Sequence, residues 1–402
     1  MALNVKVGLI GLLDMLKFAN LAKTRQQAID AAPANEVKAD YPINNFAKAM
    51  HPDYQKFVID EIIDHADADA KSFIFKRADG KAAAYFRAGQ YISLKLPIEG
   101  SFVTRPYSIS SSPKWALEGK VAVTVKRNPG GFAADWMLDN FKVGDEVIGS
   151  DGQGQFYWES LRDSKNVVAL AGGSGITPFL SMAYAIRDGI EDFNLTILFG
   201  SKTESAILFR KELDDIVAAC PKVKVVHVLS DETKDGFETG FITAELIKKY
   251  APAEDYSVFI CGPEAMYRFA AGEVAKLGLD RKHVRRELLG ASKKVWELPG
   301  YPQDKKDKVF KVTVKQGPTE KVIDANANEP VLVAIERAGI KAPSRCRSGE
   351  CGWCRSRLVS GDVFIPEETD GRRWADKKYG EIHPCASFPL SDLVLIVPGE
   401  YY

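Results

Sequence analysis

The spacing of apolar positions changes along the chain, and the changes divide it into five stretches. Over 1–52, Leu9, Leu12, Leu13 and Leu16 recur at helical spacing and form one apolar stripe in an Ala-rich segment. This predicts a helical extension that packs on its own protein, with a helix that binds a partner or a membrane surface as the alternative. Over 53–160 the pattern turns to short β-rich runs at 73–75, 91–96 and 121–125, separated by Gly, Pro and Ser clusters. Such closely spaced strands predict a small antiparallel barrel, with turns at Gly144-Asp145 and Asp151-Gly152-Gln153-Gly154. Over 161–290 the rhythm is strand, loop, helix. A buried run at 167–171 leads into a Gly-rich loop and an apolar helix through Ile186, and further strands follow at 195–199, 223–229 and 258–260. That alternation predicts a parallel α/β sheet. Residues 291–307, with Pro299, Gly300 and Pro302, read as a linker. In the last stretch, 308–402, Phe310, Val312 and Val314 alternate with Lys311, Thr313 and Lys315 as a half-buried strand does. Pro330 then opens a helix that Gly339 closes.

Composition narrows the function classes. At about 100–200 residues per domain, 402 residues predict two to four domains. Lys plus Arg and Asp plus Glu balance at 54 each, so no basic excess points to nucleic acid. With 27% charged and 46% apolar residues the chain is neither a disordered polymer nor a coiled coil. No stretch approaches the roughly 20 apolar residues of a membrane span. The apolar run at 7–13 has only Lys6 before it, is followed by Asp14 and Lys17, and lacks a cleavage pattern. Six cysteines are too few for a disulfide scaffold in a chain of this length. The expectation is a soluble, cytoplasmic protein.

Four of the cysteines are not scattered. Cys346, Cys351 and Cys354 leave four and then two residues between them, and Cys385 follows after thirty more. This is the plant-type 2Fe–2S spacing, three ligands on one loop and a distant fourth. Gly349 and Gly352 allow backbone amides to approach the inorganic sulfides and tune the potential. A structural zinc site is the competing reading, but zinc favours two Cys-x-x-Cys pairs and only one pair here complies. The stretch Cys346-Arg347-Ser348-Gly349-Glu350-Cys351-Gly352-Trp353-Cys354 closely resembles the cluster loop of plant-type ferredoxins.

Two further groups of residues carry candidate chemistry. In Arg105-Pro106-Tyr107-Ser108 an Arg can pair with a phosphate, a Tyr ring can stack on a flat heterocycle, and a Ser hydroxyl can reach a ring nitrogen. Gly173-Ser174-Gly175-Ile176-Thr177-Pro178 ends a strand and opens a helix, where glycines admit a diphosphate to the backbone amides and the helix dipole favours the anion. A plain strand-to-helix turn reads equally well from that loop alone. The histidines form no ligand spacing, and none is assigned a role.

Together with Phe86-Arg87-Ala88-Gly89-Gln90-Tyr91, Lys126-Arg127-Asn128-Pro129-Gly130-Gly131 and Cys261-Gly262-Pro263, these motifs resemble the ferredoxin–NADP reductase superfamily. The domain order resembles more narrowly the oxygenase reductase components and hybrid-cluster-protein reductases with a C-terminal ferredoxin, over 53–402. The resemblance implies a flavin-binding β-barrel, a parallel α/β nicotinamide domain and a β-grasp-type 2Fe–2S domain. It implies that Arg105, Pro106, Tyr107 and Ser108 bind the flavin phosphate, ring face and reactive edge. Val125 and Lys126 then lie along the flavin, and Gly130 and Gly131 lead into a helix whose N-terminus faces the pyrophosphate. The family's usual Ser three residues after the second Gly is Ala134 here, which leaves FAD or FMN open, with FAD favoured. Glu287-Leu288-Leu289 resembles the tail that covers the flavin but lacks the usual aromatic. Gly173, Gly175, Thr177 and Pro178 would hold the nicotinamide diphosphate, and Cys261, Gly262 and Pro263 would lie beside the nicotinamide. Glu204 would meet the adenosine ribose, favouring NADH over NADPH, with Lys202 pulling the other way. Cys346, Cys351, Cys354 and Cys385 would ligate the cluster. The implied activity is electron transfer from NADH through flavin and cluster to a partner redox protein. The rival readings are a diaphorase serving small acceptors, and a non-catalytic nucleotide-binding scaffold with a structural metal site.

Overall fold

The computed structural model describes residues 9–32, 41–128, 130–287 and 290–399. Residues 1–49 and 50–402 form two separate units. In the first, α1 (Leu9–Ala31) and the start of α2 (Pro42–Met50) are helical as the pattern predicts. The single apolar stripe is not what the helix presents. Leu12, Leu13 and Leu16 are 56%, 55% and 58% exposed, and Met15, Phe18 and Leu21, which lie off the stripe, are exposed as well. Apolar side chains surround α1, so it has no one face to bury. Among the described residues, no helix is long and apolar enough to cross a membrane.

The second unit opens with six strands: β1 (Gln55–His65), β2 (Ala70–Arg77), β3 (Tyr91–Ile98), β4 (Ser101–Ser108), β5 (Lys120–Lys126) and β6 (Glu146–Gly149). They pair antiparallel in the order β4-β3-β6-β1-β2-β5. A bridge from Ile109 to Val123 brings the two ends of that order together, so the sheet curls into a barrel. Its core holds Phe57, Phe73, Phe75, Leu94 and Val123, all fully buried, each worth roughly 1.5–3 kcal/mol of burial. Sequence pattern locates β2, β3 and β5 and the strand end at Arg105–Ser108 in β4, but not β1 or β6. Pro106 is tolerated since β4 ends the strand order. Helix α3 (Phe132–Asn140) packs on this core through Met137 and Leu138.

Next come β7 (Asn166–Gly172), α4 (Thr177–Arg187), β8 (Asn194–Ser201), α5 (Arg210–Ala219), β9 (Val223–Leu229), β10 (Glu238–Thr239), α6 (Ala244–Tyr250), β11 (Ser257–Cys261), α7 (Glu264–Ala275) and β12 (Val284–Arg286). The strands form one parallel sheet in the order β10-β9-β8-β7-β11-β12. Chain order reverses between β7 and β11. A doubly wound sheet binds its ligand outside the carboxyl ends of the strands at such a reversal.

The segment after β12 is less of a spacer than its composition suggests. Val295 and Tyr301 are buried together with Phe388, and the Tyr301 hydroxyl donates to the Ala327 carbonyl at 3.1 Å. The remaining elements are β13 (Val309–Gln316), β14 (Thr319–Asn326), α8 (Val331–Arg337), β15 (Ser356–Ser360), β16 (Val363–Phe364), α9 (Trp374–Lys378), β17 (Glu381–Ile382), β18 (Phe388–Pro389) and β19 (Leu393–Ile396). A five-stranded sheet of order β14-β13-β19-β15-β17, parallel only between β13 and β19, carries α8. Pro330 precedes α8 and Gly339, at φ 72°, follows it, as expected.

Candidate functional site

The loop between α8 and β15 gathers the cysteines. Cys346, Cys354 and Cys385 are buried and Cys351 is exposed. Among the described residues no trio of His, Cys, Asp or Glu closes to the spacing of a single-ion site. The thiols instead neighbour one another, Cys346 with Cys351 and Cys385, and Cys385 with Cys354. The Cys346 thiol is pulled far below its usual range, first by Cys351, then by Cys385 and by nearby backbone donors. The amides of Ser348 and Cys351 donate to Cys346 Sγ at 3.5 and 3.4 Å, and the amide of Trp353 donates to Cys351 Sγ at 3.4 Å. Such amides stabilise thiolates and sulfides. Gly349 is at φ 83°, and a Cβ there would lie 2.3 Å from the Thr369 carbonyl oxygen, so only glycine fits. The fully buried Ser348 hydroxyl has no protein partner. Four soft thiols, inward amides and an orphaned hydroxyl fit a 2Fe–2S cluster held by Cys346, Cys351, Cys354 and Cys385.

Arg105, Pro106, Tyr107 and Ser108 form the end of β4, in register with Leu94, Ser93, Ile92 and Tyr91 of β3. Burial, then the neighbouring Arg347, lowers the Arg105 guanidinium to about 10, against the pull of Glu336. Burial pushes the Tyr107 phenol up, and Arg105 opposes the shift. Ser108 and Val125 are buried, and burial also lowers Lys126. A half-buried cation, an aromatic ring and a hydroxyl on one strand end suit a flavin phosphate and ring. Arg105 also faces the Phe132 ring at 6.0 Å, so the start of α3 lies beside the motif.

Ahead of α3, Asp135 accepts from the amides of Gly131, the N-cap, and Asn128 at 3.1 and 3.2 Å, which braces the turn that leads into the helix. Ala134 in the first turn offers no side-chain donor. Glu287 is buried, and its carboxyl is pushed well up by burial and then by Glu350. Leu288 and Leu289 lie outside the described residues.

The Gly-rich loop ends β7 at the sheet's reversal. Gly173 is at φ 53° with open space around it. Gly175 backs directly onto β11, where a Cβ would stand 2.2 Å from the Cys261 carbonyl oxygen. α4 starts at Thr177 with Pro178 in its first turn, as expected. The Thr177 hydroxyl donates to the Ser174 carbonyl at 2.9 Å, so it braces the turn. Cys261 ends β11, its thiol raised by burial, and Gly262 and Pro263 lead into α7. An open glycine, a helix start and a buried thiol at the reversal suit a dinucleotide. Glu204 follows β8 and pairs with Lys234, which lowers its carboxyl.

Three family models match the chain: an oxidoreductase FAD-binding domain over 61–158, an oxidoreductase NAD-binding domain over 169–272 and a 2Fe–2S iron–sulfur cluster binding domain over 314–390. The ferredoxin reductase component of 3-ketosteroid-9-alpha-monooxygenase from Mycobacterium tuberculosis is 30% identical over 85% of this chain and 95% of its own length. The chain belongs to the oxygenase reductase family. The glycine betaine monooxygenase reductase subunit of Chromohalobacter salexigens is 28% identical over 81% of this chain and 91% of its own. Phthalate dioxygenase reductase, described as a modular structure for electron transfer from pyridine nucleotides to 2Fe–2S, superposes with a TM-score of 0.59 at 26% identity, covering 86% of this chain and 98% of its own.

This oxygenase reductase is therefore an oxidoreductase with FAD, NADH and a 2Fe–2S cluster as its redox groups, and the bound flavin supplies the step from paired to single electrons. Some residues that shape the site carried no sequence signal. His383 is buried with Nδ1 2.5 Å from the Gly349 carbonyl oxygen. A carbonyl only accepts, so Nδ1 holds the proton and donates. Glu336, Arg345 and Arg347 also reach the cluster loop or the flavin motif, and lone charged residues gave no cue to that.

Proposed function

We propose that this reductase takes NADH and delivers single electrons to an oxygenase partner that docks where Cys351 is exposed. The observation that carries this is the asymmetry of the ligands: Cys346, Cys354 and Cys385 are 2%, 4% and 3% exposed, whereas Cys351 lies at the surface beside the partly exposed Trp353. The named functions of the relatives, all oxygenase reductase components, support the class of partner.

In this reading residues 53–160, 161–290 and 308–402 are the flavin, nicotinamide and ferredoxin domains, and the protein works in the cytoplasm. Arg105 holds the flavin phosphate, and Gly130 and Gly131 lead into α3, whose N-terminus faces the pyrophosphate. Tyr107 covers the ring, Ser108 meets its reactive edge, and Val125 and Lys126 line it. Gly173, Gly175, Thr177 and Pro178 shape the turn that receives the nicotinamide diphosphate. Cys261, with Gly262 and Pro263, keeps the hydride-transfer region small and dry, and Glu204 meets the adenosine ribose.

The test is reduction of candidate oxygenase components by the purified protein with NADH. Coupled oxygenation that disappears in Cys351→Ser supports the proposal. Full coupling by a cluster-free protein contradicts it.

A further inference from the structure

Cys346 stands between two buried arginines, and each reaches out of the cluster loop toward the flavin barrel. On one side, Arg345 Nη2 donates to the Asp53 carbonyl at 3.1 Å, and Nη1 lies 3.5 Å from Asp151 Oδ1. Its guanidinium also stacks 3.6 Å over the Trp353 ring. On the other side, Arg347 Nη1 donates to Glu336 Oε1 at 2.6 Å, and the other oxygen of Glu336 lies 3.6 Å from Arg105 Nη1 in the flavin motif. The Ser101 hydroxyl on β4 donates to the Glu336 carbonyl at 3.4 Å, so α8 is held to the barrel at the same point.

Two features show how firmly this arrangement is determined. Arg347 sits at φ 57°, in the left-handed region that side-chain-bearing residues rarely adopt and hold only when surrounding contacts over-determine it. The charges also balance in a useful way. Arg105 and Arg347 share one carboxylate, which is tight on Arg347 and loose on Arg105, so Arg105 keeps capacity for a phosphate while the loop is held.

We propose that Arg345 and Arg347 are positioning residues that fix the cluster loop on the flavin barrel, Arg345 through Asp53 and Asp151 and Arg347 through Glu336 and Arg105. The proposal rests on the relay reading above and adds which side chains hold the ferredoxin domain in place for it.

The experiment uses the full-length protein carrying flavin and cluster, in three variants. Asp151→Asn releases Arg345, Glu336→Gln releases Arg347, and Arg347→Lys keeps the charge. Three quantities are read: amide hydrogen exchange over 344–352, NADH-driven reduction of ferricyanide, and NADH-driven reduction of cytochrome c. Truncating one member of a buried charge pair costs a decade or more in equilibrium, so exchange should rise at least about tenfold in the first two variants. Cytochrome c reduction should fall in the same two while iron content and ferricyanide reduction hold, and Arg347→Lys should recover most of the loss. Unchanged exchange with unchanged cytochrome c reduction in both Asp151→Asn and Glu336→Gln would overturn the proposal. So would an equal fall with both acceptors at unchanged exchange. If Glu336→Gln loses iron, Asp151→Asn alone decides between these outcomes. Failure of the relay itself is distinguishable, because cytochrome c reduction would then survive in Cys351→Ser whatever the exchange shows.

Discussion

His383 Nδ1 lies 2.5 Å from the carbonyl oxygen of Gly349, thirty-four residues earlier in the chain, and this bond closes the cluster loop against the segment that brings in Cys385. Loss of the ring leaves the Gly349 carbonyl buried without its donor, at a cost of roughly 1–3 kcal/mol. His383→Ala should lose iron faster than the parent protein during dialysis against a chelator, with flavin content unchanged. Equal iron retention would show that the bond is incidental.

The same loop depends on backbone shape. Gly349→Ala must place a Cβ at φ 83° and 2.3 Å from the Thr369 oxygen, a strain well above about 1 kcal/mol. Purified Gly349→Ala should carry little iron. Cys351→Ser should also lose iron, because a hard alkoxide replaces a soft thiolate. In both, the flavin absorption should persist.

Much of this architecture is legible in the amino-acid sequence because its signals are local. The Cys346-to-Cys354 spacing, the 173–178 loop and the strand at Val223–Leu229 each lie within one continuous segment. What was not legible depends on residues brought together over long separations. Glu336, already paired with Arg347, finds Arg105, and Arg345 finds Asp53 and Asp151, only once the ferredoxin and barrel folds meet.

Nicotinamide preference should respond to Glu204. Its carboxylate is held by Lys234, and a 2′-phosphate would meet that negative charge. Glu204→Ala frees Lys234, with Arg210 nearby, so kcat/KM for NADPH should rise and that for NADH fall. The ratio should move on the order of tenfold, or roughly 1.4 kcal/mol. Steady-state kinetics with both dinucleotides measure it, and an unchanged ratio would remove Glu204 from the ribose site.

Stability should depend on pH through Lys95. Burial, then Arg345 and Lys341, lowers its ammonium from 10.5 to about 7, while the Tyr54 ring lies 3.8 Å from Nζ. Between about pH 7 and 10.5 the unfolded chain binds this proton and the folded protein does not, so stability rises with pH across that window and is flat below it. Denaturant titrations from pH 7 to 10 should show the rise, and Lys95→Met should flatten it. A slope that persists in Lys95→Met would assign the effect to other groups.

The relay itself is tested most directly by mixing the purified protein anaerobically with NADH in a stopped-flow spectrophotometer, following flavin and iron–sulfur absorption separately. The account predicts that the flavin bands bleach first and the broad iron–sulfur envelope follows, with only the flavin phase left in Cys351→Ser. An iron–sulfur envelope that stays oxidised while the flavin is fully reduced would contradict it.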